Sequence, residues 1–452
     1  MKKLQLLILT LLFALTNSGI ATAQWSALGN GLNGQVNAIL EFQNELYVGG
    51  KFTANGTGTS TLNHIAKWNG TSWQAVGSGF DEEVKSLVIF NNELYAGGVF
   101  THSGATSTDH IAKLSGGTWV EVGEGFNATV NCMIVFQDVL YAGGAFSASG
   151  ANSVTKIAKL ASNTWVNPNN TIITGPVYAM AEHLGSLYIG GYFSPISVMK
   201  LNGTTWTSIG TLSGPVYALG SFQYQSNTTK YLYIGGDFTV APSFGLCVYN
   251  GSSYSTPFNQ YTQPSKVYAI LPTYSKLFTG GEFTVSATWG AGQTRVASNI
   301  AQKAYTTPWD TLSATFSAGA KVYALGTYTN RLVAGGTFTT INGVTCTNIA
   351  IRSTTVGIDE VSENVTDFTF FPSPMTENAT LRITTKTPLQ HPTLGIYDAQ
   401  SRLIRNYSSN GMFSNNETEF EIKRDGLSSG IYYYLVTDEN GNGVLSNKFI
   451  VQ

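Results

Sequence analysis

Apolar and polar positions alternate along this chain in short runs, separated by stretches rich in Gly, Asn, Ser and Thr. Such period-2 alternation is the pattern of half-buried strands. One run sets the register for the rest: Leu46-Tyr47-Val48-Gly49-Gly50-Lys51-Phe52. Six further copies begin at Leu94, Leu140, Leu187, Leu232, Leu277 and Leu332, each keeping Leu, Gly-Gly and Phe in step. By subtraction of the first glycines (49, 97, 143, 190, 235, 280 and 335), the spacings are 48, 46, 47, 45, 45 and 55 residues.

A period in the forties built from short strands predicts an array of sheet-like blades. In the first copy, Val36-Asn37-Ala38-Ile39 is strand a and Leu46–Phe52 is strand b. Ile65–Trp68 is strand c, the Asn69-Gly70 turn follows, and Trp73–Gly77 is strand d. Asn-Gly between apolar runs is a strong hairpin signal. Strand a starts at Val36, Val84, Val130, Val177, Val216, Val267 and Val322, with Ala38, Ser86, Cys132, Ala179, Ala218, Ala269 and Ala324 two residues on. A small residue there in all copies places strand a innermost, near a central axis. A glycine inside a strand marks close approach by other atoms, and the expected occupant of that space is a Trp or Phe of the adjacent sheet. Trp165, Tyr254 and Trp309 mark weaker versions of strand d, and the seventh copy has no Trp after Ile349-Ala350-Ile351. Trp25-Ser26-Ala27-Leu28-Gly29 precedes the first strand a, and it is expected to complete the last blade and so remove an open edge. The prediction is an all-β chain: a seven-bladed β-propeller over 24–352. The apolar runs, Gly-Gly pairs and strand-d Trp residues resemble kelch-type propellers. The Gly50–Trp68–Trp73 spacing departs from the kelch pattern, so no family ligand set is carried over.

Residues 353–367 are polar and read as a linker. From 368 to 452 a new set of strands lacks Gly-Gly and predicts a small β-sandwich. Phe371-Pro372-Ser373-Pro374, Ile396–Ile404, Leu427-Ser428-Ser429-Gly430-Ile431-Tyr432 and Lys448-Phe449-Ile450-Val451 resemble, in order and spacing, the type A C-terminal sorting domain of the type IX secretion system. Ser373 and Ser401 stand where that family usually has Asn and Gly; both are turn formers. The resemblance implies the secretion machinery as a partner and export across a Gram-negative outer membrane. Release into the medium or attachment to the cell surface would follow. At the other end, Lys2-Lys3, the apolar run Leu4–Leu15 and Ala21-Thr22-Ala23 predict a signal peptide over 1–23. No other run is long enough to span a bilayer.

A formal net charge of −2, with charged residues at 11%, offers no basic patch for nucleic acid. Cys132, Cys247 and Cys346 lie in different repeats, without metal-ligand spacing, and read as small buried residues. His64 and His110 share one repeat position with Lys156, Asn299 and Asn348 and read as polar strand starts. His102, His183 and His391 join no metal-binding motif. Asp81-Glu82-Glu83 is a candidate for a hard cation or, more simply, a solvated turn. Asn-x-Ser/Thr triplets such as Asn69-Gly70-Thr71 fall at hairpin turns. No catalytic constellation, cofactor motif or metal site is expected.

One set of positions points to binding. The residue after the strand-a valine is Asn37, Lys85, Asn131, Tyr178, Tyr217, Tyr268 and Tyr323. Four consecutive blades supply tyrosine, whose aromatic face and polar tip suit a sugar or peptide. The same tyrosines could instead serve packing between blades. The expected function is secreted or surface binding and adhesion, with a glycan or protein ligand. An extracellular polysaccharide lyase or hydrolase is the enzymatic alternative, and a purely structural surface component is a third.

Overall fold

The computed structural model describes residues 25–169, 173–193, 197–223, 229–240, 243–256, 261–273, 276–289, 293–304, 309, 312, 314–355, 364–397, 403–408, 416–438 and 443–452. The expected signal peptide lies outside them, as do 356–363 of the expected linker and Ser401 of the sorting motif. Every regular element among the described residues is a strand.

Seven antiparallel sheets follow in chain order, each opening with a strand a. These inner strands are Val36–Phe42, Val84–Phe90, Val130–Phe136, Val177–His183, Val216–Gln223, Tyr261–Pro272 and Lys321–Tyr328. Each lies beside the inner strand of the next sheet, and the seventh lies beside the first. Sheets 1 to 5 have four strands in the order a-b-c-d. Sheet 6 has three among the described residues, with Trp309 buried in its core. Sheet 7 takes its fourth strand from the start of the chain: Trp25, Ser26 and Ala27 pair with Arg352, Ile351 and Ala350.

The repeated residues are explained by what each touches. A Cβ built on Gly97 would stand 2.6 Å from Cγ1 of Val130, and one on Gly335 2.5 Å from Cγ1 of Val36. Gly49, Gly143, Gly190, Gly235 and Gly280 meet Val84, Val177, Val216, Val267 and Val322 in the same way. The first glycine therefore makes room for the strand-a valine of the following sheet. This corrects the expectation of a Trp or Phe there: an aliphatic branch, not a ring, fills the space. The second glycine faces the backbone carbonyl that precedes its own sheet's valine, as Gly50 faces Gln35 and Gly98 faces Glu83. The Trp residues do another job. The indole N–H of Trp73 donates to Leu28 O at 2.9 Å, that of Trp119 to Val76 O at 3.0 Å, and that of Trp165 to Val122 O at 2.9 Å. Each of these bonds ties an outer strand to the sheet before it. Through Leu28, sheet 1 is tied to the segment that completes sheet 7.

The crowded carbonyl beside the second glycine coincides with a slip in register. Val36 pairs with Gly50 and Ala38 with Gly49, leaving Asn37 without a partner. The same bulge recurs in all seven sheets and strands Lys85, Asn131, Tyr178, Tyr217, Tyr268 and Tyr323 likewise. A bulge re-aims the side chain of its extra residue. The candidate positions are thus the seven residues that the inner ring cannot pair.

The C-terminal strands form two sheets. One joins Val365–Phe371, Asn378–Thr385 and Glu417–Lys423; the other joins Leu403–Ser408, Thr393–Tyr397, Gly430–Thr437 and Gly443–Val451. Leu381, Ile383, Leu394, Ile396, Phe420 and Phe449 belong to one shared core. Strands enter the expected linker from both sides, to Thr355 and from Val365.

Candidate ligand-binding site

The bulge residues fall into two arcs at one end of the inner ring. In sheets 4 to 7 the tyrosines form a continuous series. Ring centroids lie 5.7 Å apart for Tyr178 and Tyr217, 5.5 Å for Tyr217 and Tyr268, and 4.8 Å for Tyr268 and Tyr323. All four rings are half-buried, and the planes are tilted by 53°, 42° and 35°. The Tyr268 hydroxyl donates to Glu282 at 3.3 Å. Those of Tyr178, Tyr217 and Tyr323 make no protein hydrogen bond among the described residues. Burial raises the pKa of each phenol, helped by the Asp237 carboxylate at Tyr217 and the Glu282 carboxylate at Tyr268. The hydroxyls therefore stay protonated and able to donate at any physiological pH.

In sheets 1 to 3 the same position is committed to the protein. Asn37 Nδ2 donates to Glu83 Oε1 at 2.8 Å and to Val84 O at 3.0 Å, while its Oδ1 accepts from Gln35 Nε2 at 2.6 Å. Asn131 Nδ2 donates to Val177 O at 3.0 Å. Lys85 Nζ lies 3.5 Å from Glu83 Oε1. Both asparagines cap a backbone carbonyl of the next sheet. The structure brings together the four tyrosines and gives Asn37, Lys85 and Asn131 internal partners.

Around this mouth runs a rim that periodicity alone did not single out. It is made of the residue after Gly-Gly and the residue before the strand-a valine. Lys51 of sheet 1 reaches Glu83 of sheet 2 at 3.9 Å, Asp237 of sheet 5 pairs with Lys266 of sheet 6 at 2.9 Å, and Glu282 of sheet 6 with Lys321 of sheet 7 at 3.0 Å. Each pair bridges consecutive sheets. The signal was present in the sequence as opposite charges at two fixed repeat positions, but it becomes readable only once neighbouring sheets are aligned.

Glu83 itself is buried, held by Asn37, Lys85 and Lys51. Asp81 accepts from the backbone N–H groups of Thr101 and His102, both at 2.9 Å, and from the Thr101 hydroxyl at 2.8 Å. Burial raises its pKa, but these donors outweigh that and hold the carboxyl below its usual range. Asp81 and Glu82 are exposed, as in the solvated turn considered from sequence, with Asp81 bracing that turn, whereas Glu83 departs from it as a buried anchor of the inner ring. Among the described residues no group of three His, Cys, Asp or Glu is placed to hold a metal ion. His64 and His110 take left-handed backbone angles of 69° and 66°, with Nδ1 3.3 Å from the carbonyls of Gly50 and Gly98. Asn299, at 66°, donates to Gly281 O in the same way at 3.1 Å. Cys132, Cys247 and Cys346 are free thiols.

Residues 369–452 match the family described as a secretion system C-terminal sorting domain. Residues 329–350 match a β-propeller domain of unknown function, DUF5122. No curated protein matches the chain. Among solved structures, the chain is similar to a fungal alcohol oxidase of the AA5 family in complex with copper, at 12% identity and a TM-score of 0.42, over 95% of this chain and 100% of that one. It is also similar to YjhT, at 11% identity and a TM-score of 0.38, over 62% of this chain and 98% of that one. At these values neither bears on ligand or chemistry. The propeller and sorting-domain matches together describe a secreted or cell-surface protein: a β-propeller followed by a domain that addresses the type IX secretion machinery.

Proposed function

We propose that the seven sheets are the blades of a kelch-like propeller that binds an extracellular glycan or protein through its tyrosine arc, without catalysis there. Export begins with the N-terminal signal segment and is completed by the C-terminal domain, which folds as a small β-sandwich. One observation carries the binding reading. Four phenols touch in series on one side of the mouth, three with hydroxyls that no described residue engages, while the equivalent polar groups opposite are bound within the protein. Packing between blades is satisfied by Asn37 and Asn131 with small polar side chains, so it does not by itself require tyrosine. An acid/base role would need a carboxyl free to exchange protons with a substrate. Asp237 and Glu282, beside the arc, are each ion-paired with lysine, which favours binding over hydrolysis or elimination.

A glycan and protein array probed with the purified chain tests this. Signal on at least one class of spot is expected, and it should fall several-fold in a Tyr217→Phe, Tyr268→Phe variant that unfolds at the wild-type midpoint. A ligand bound equally well by the variant would place the site elsewhere.

A further inference from the structure

Beyond the arc, one exposed aromatic stands out among the described side chains of the seven sheets. Tyr192 is 54% exposed, whereas Tyr47, Tyr95, Tyr141, Tyr188 and Tyr233 on the second strands are buried. It occupies the rim position after Gly190-Gly191, where sheets 1, 5 and 6 carry Lys51, Asp237 and Glu282. Its backbone N–H donates to Pro176 O at 3.3 Å, which fixes it beside the start of the strand that presents Tyr178. The rim position that faces it from sheet 5 is Pro215, so this stretch of rim carries no charge.

The walls around the mouth are also uneven. The connection between strands b and c runs from Gly50 to Ile65 in sheet 1, Gly98 to Ile111 in sheet 2 and Gly144 to Ile157 in sheet 3. In sheet 4 it runs only from Gly191 to Val198, and in sheet 5 from Gly236 to Leu246, with a hairpin paired out to Val240 and Ser243. Sheet 6 carries this further: its hairpin stays paired out to Trp289 and Gln293. The connection is therefore shortest at sheet 4, where Tyr192 stands, and longest at sheet 6.

Charge narrows the ligand further. Lys266 and Lys321, on the side of the tyrosine arc, each have a carboxylate of their own within 4 Å, while Lys51 and Lys85, on the other side of the mouth, share Glu83. A polyanion lying along the arc would have to break the Lys266 and Lys321 pairs to find a cation. A neutral sugar chain would not, since ring faces stack on its C–H surfaces and protonated phenols meet its hydroxyls.

We infer that the mouth takes an uncharged polysaccharide that leaves the arc on the side of sheet 4, and that Tyr192 is an outer platform extending the arc to several sugar units. This rests on the tyrosine arc being the binding site. The test is affinity gel electrophoresis of the full chain through gels holding neutral polymers (laminarin, xyloglucan, galactomannan, hydroxyethyl cellulose) or acidic ones (alginate, polygalacturonate, chondroitin sulfate). At least one neutral polymer should retard the chain, with little change on raising the salt. Tyr192→Ala should weaken binding of that polymer about five- to tenfold, the size of one aromatic stacking contact, and leave its disaccharide unaffected. Tyr217→Ala should weaken both, and a Tyr217→Phe variant guards against loss of folding. Retardation by acidic polymers alone, abolished by salt but lost in Tyr217→Phe, would overturn the ligand class and leave the arc standing. A neutral polymer that binds both Tyr217 variants as well as wild type would overturn the arc itself. No retardation by any neutral polymer, or equal polymer affinity in Tyr192→Ala, would overturn the inference.

Discussion

Sheets 1 to 3 and sheets 4 to 7 present the same bulge, at the same step of the same strand, to opposite ends of use. Where the bulge residue is Asn37 or Asn131, its amide closes a hydrogen bond to the next sheet. Where it is Tyr178, Tyr217 or Tyr323, no described residue takes up the polar atom and the ring meets another ring. The backbone thus supplies seven equivalent, unpaired positions, and side-chain chemistry decides which hold the ring together and which face outward.

The largest effect should come from removing the shared foundation. Gly97→Val places a branched side chain where Val130 Cγ1 and Met133 Cε already lie, at 2.6 and 3.3 Å from the new Cβ. Overpacking of this kind costs about 3 kcal/mol. The denaturant midpoint should fall sharply and both arcs should be lost together. An unchanged midpoint would mean that consecutive sheets are not in close contact.

A smaller effect should distinguish the sheets beneath the aromatic arc. The last inner-strand position holds Phe42, Phe90 and Phe136 in sheets 1 to 3, each with its ring 5.9 to 6.1 Å from a tyrosine. Sheet 4 has His183 there, 1% exposed, 5.6 Å from Tyr188, with Nδ1 2.8 Å from Ser221 Oγ and Nε2 without a partner among the described residues. Burial first, then the ammonium groups of Lys230 and Lys200, lower its pKa from 6.5 to about 4. The unfolded chain therefore binds a proton that the folded chain refuses. Stability contributed by neutral His183 should be intact above pH 6.5 and decline as pH falls toward 4, by about 2 kcal/mol. In His183→Phe the acid decline of the unfolding midpoint should shrink. An identical pH profile would contradict the assignment.

The smallest of these effects should appear in the polar arc. Asn37→Ala strips a donor from buried Glu83 and from Val84 O, costing about 1–2 kcal/mol. Thermal unfolding should report that loss, with ligand affinity unchanged. A fall in affinity without loss of stability would make the polar arc part of the site.

Much of this was legible before any coordinates. A steric demand repeated seven times leaves seven copies of the same glycine, so the repeat register followed from spacing alone, whereas the bulge after each strand-a valine did not, because it shows only in how strands a and b pair. The series Tyr178-Tyr217-Tyr268-Tyr323 followed too, because one repeat position is one place in space. What fills the space beside Gly49 did not follow: Val84 lies in the next sheet, and a single repeat does not contain its neighbour. Glu83 looked like part of a solvated acidic turn because nothing local shows its carboxylate turning toward Asn37. Tyr192 was hidden for a related reason, since its exposure depends on how short the connection to Val198 is and on the uncharged Pro215 opposite.

The most direct measurement compares two double variants on the same ligand: Tyr217→Phe with Tyr268→Phe, and Asn37→Ala with Asn131→Ala. Affinity by titration calorimetry and stability by denaturant unfolding are read for both. The account predicts that the tyrosine pair loses affinity several-fold at unchanged stability, while the asparagine pair loses stability at unchanged affinity. The reverse, with the tyrosine pair destabilised and its affinity intact, would make the arc a packing device and place the ligand elsewhere.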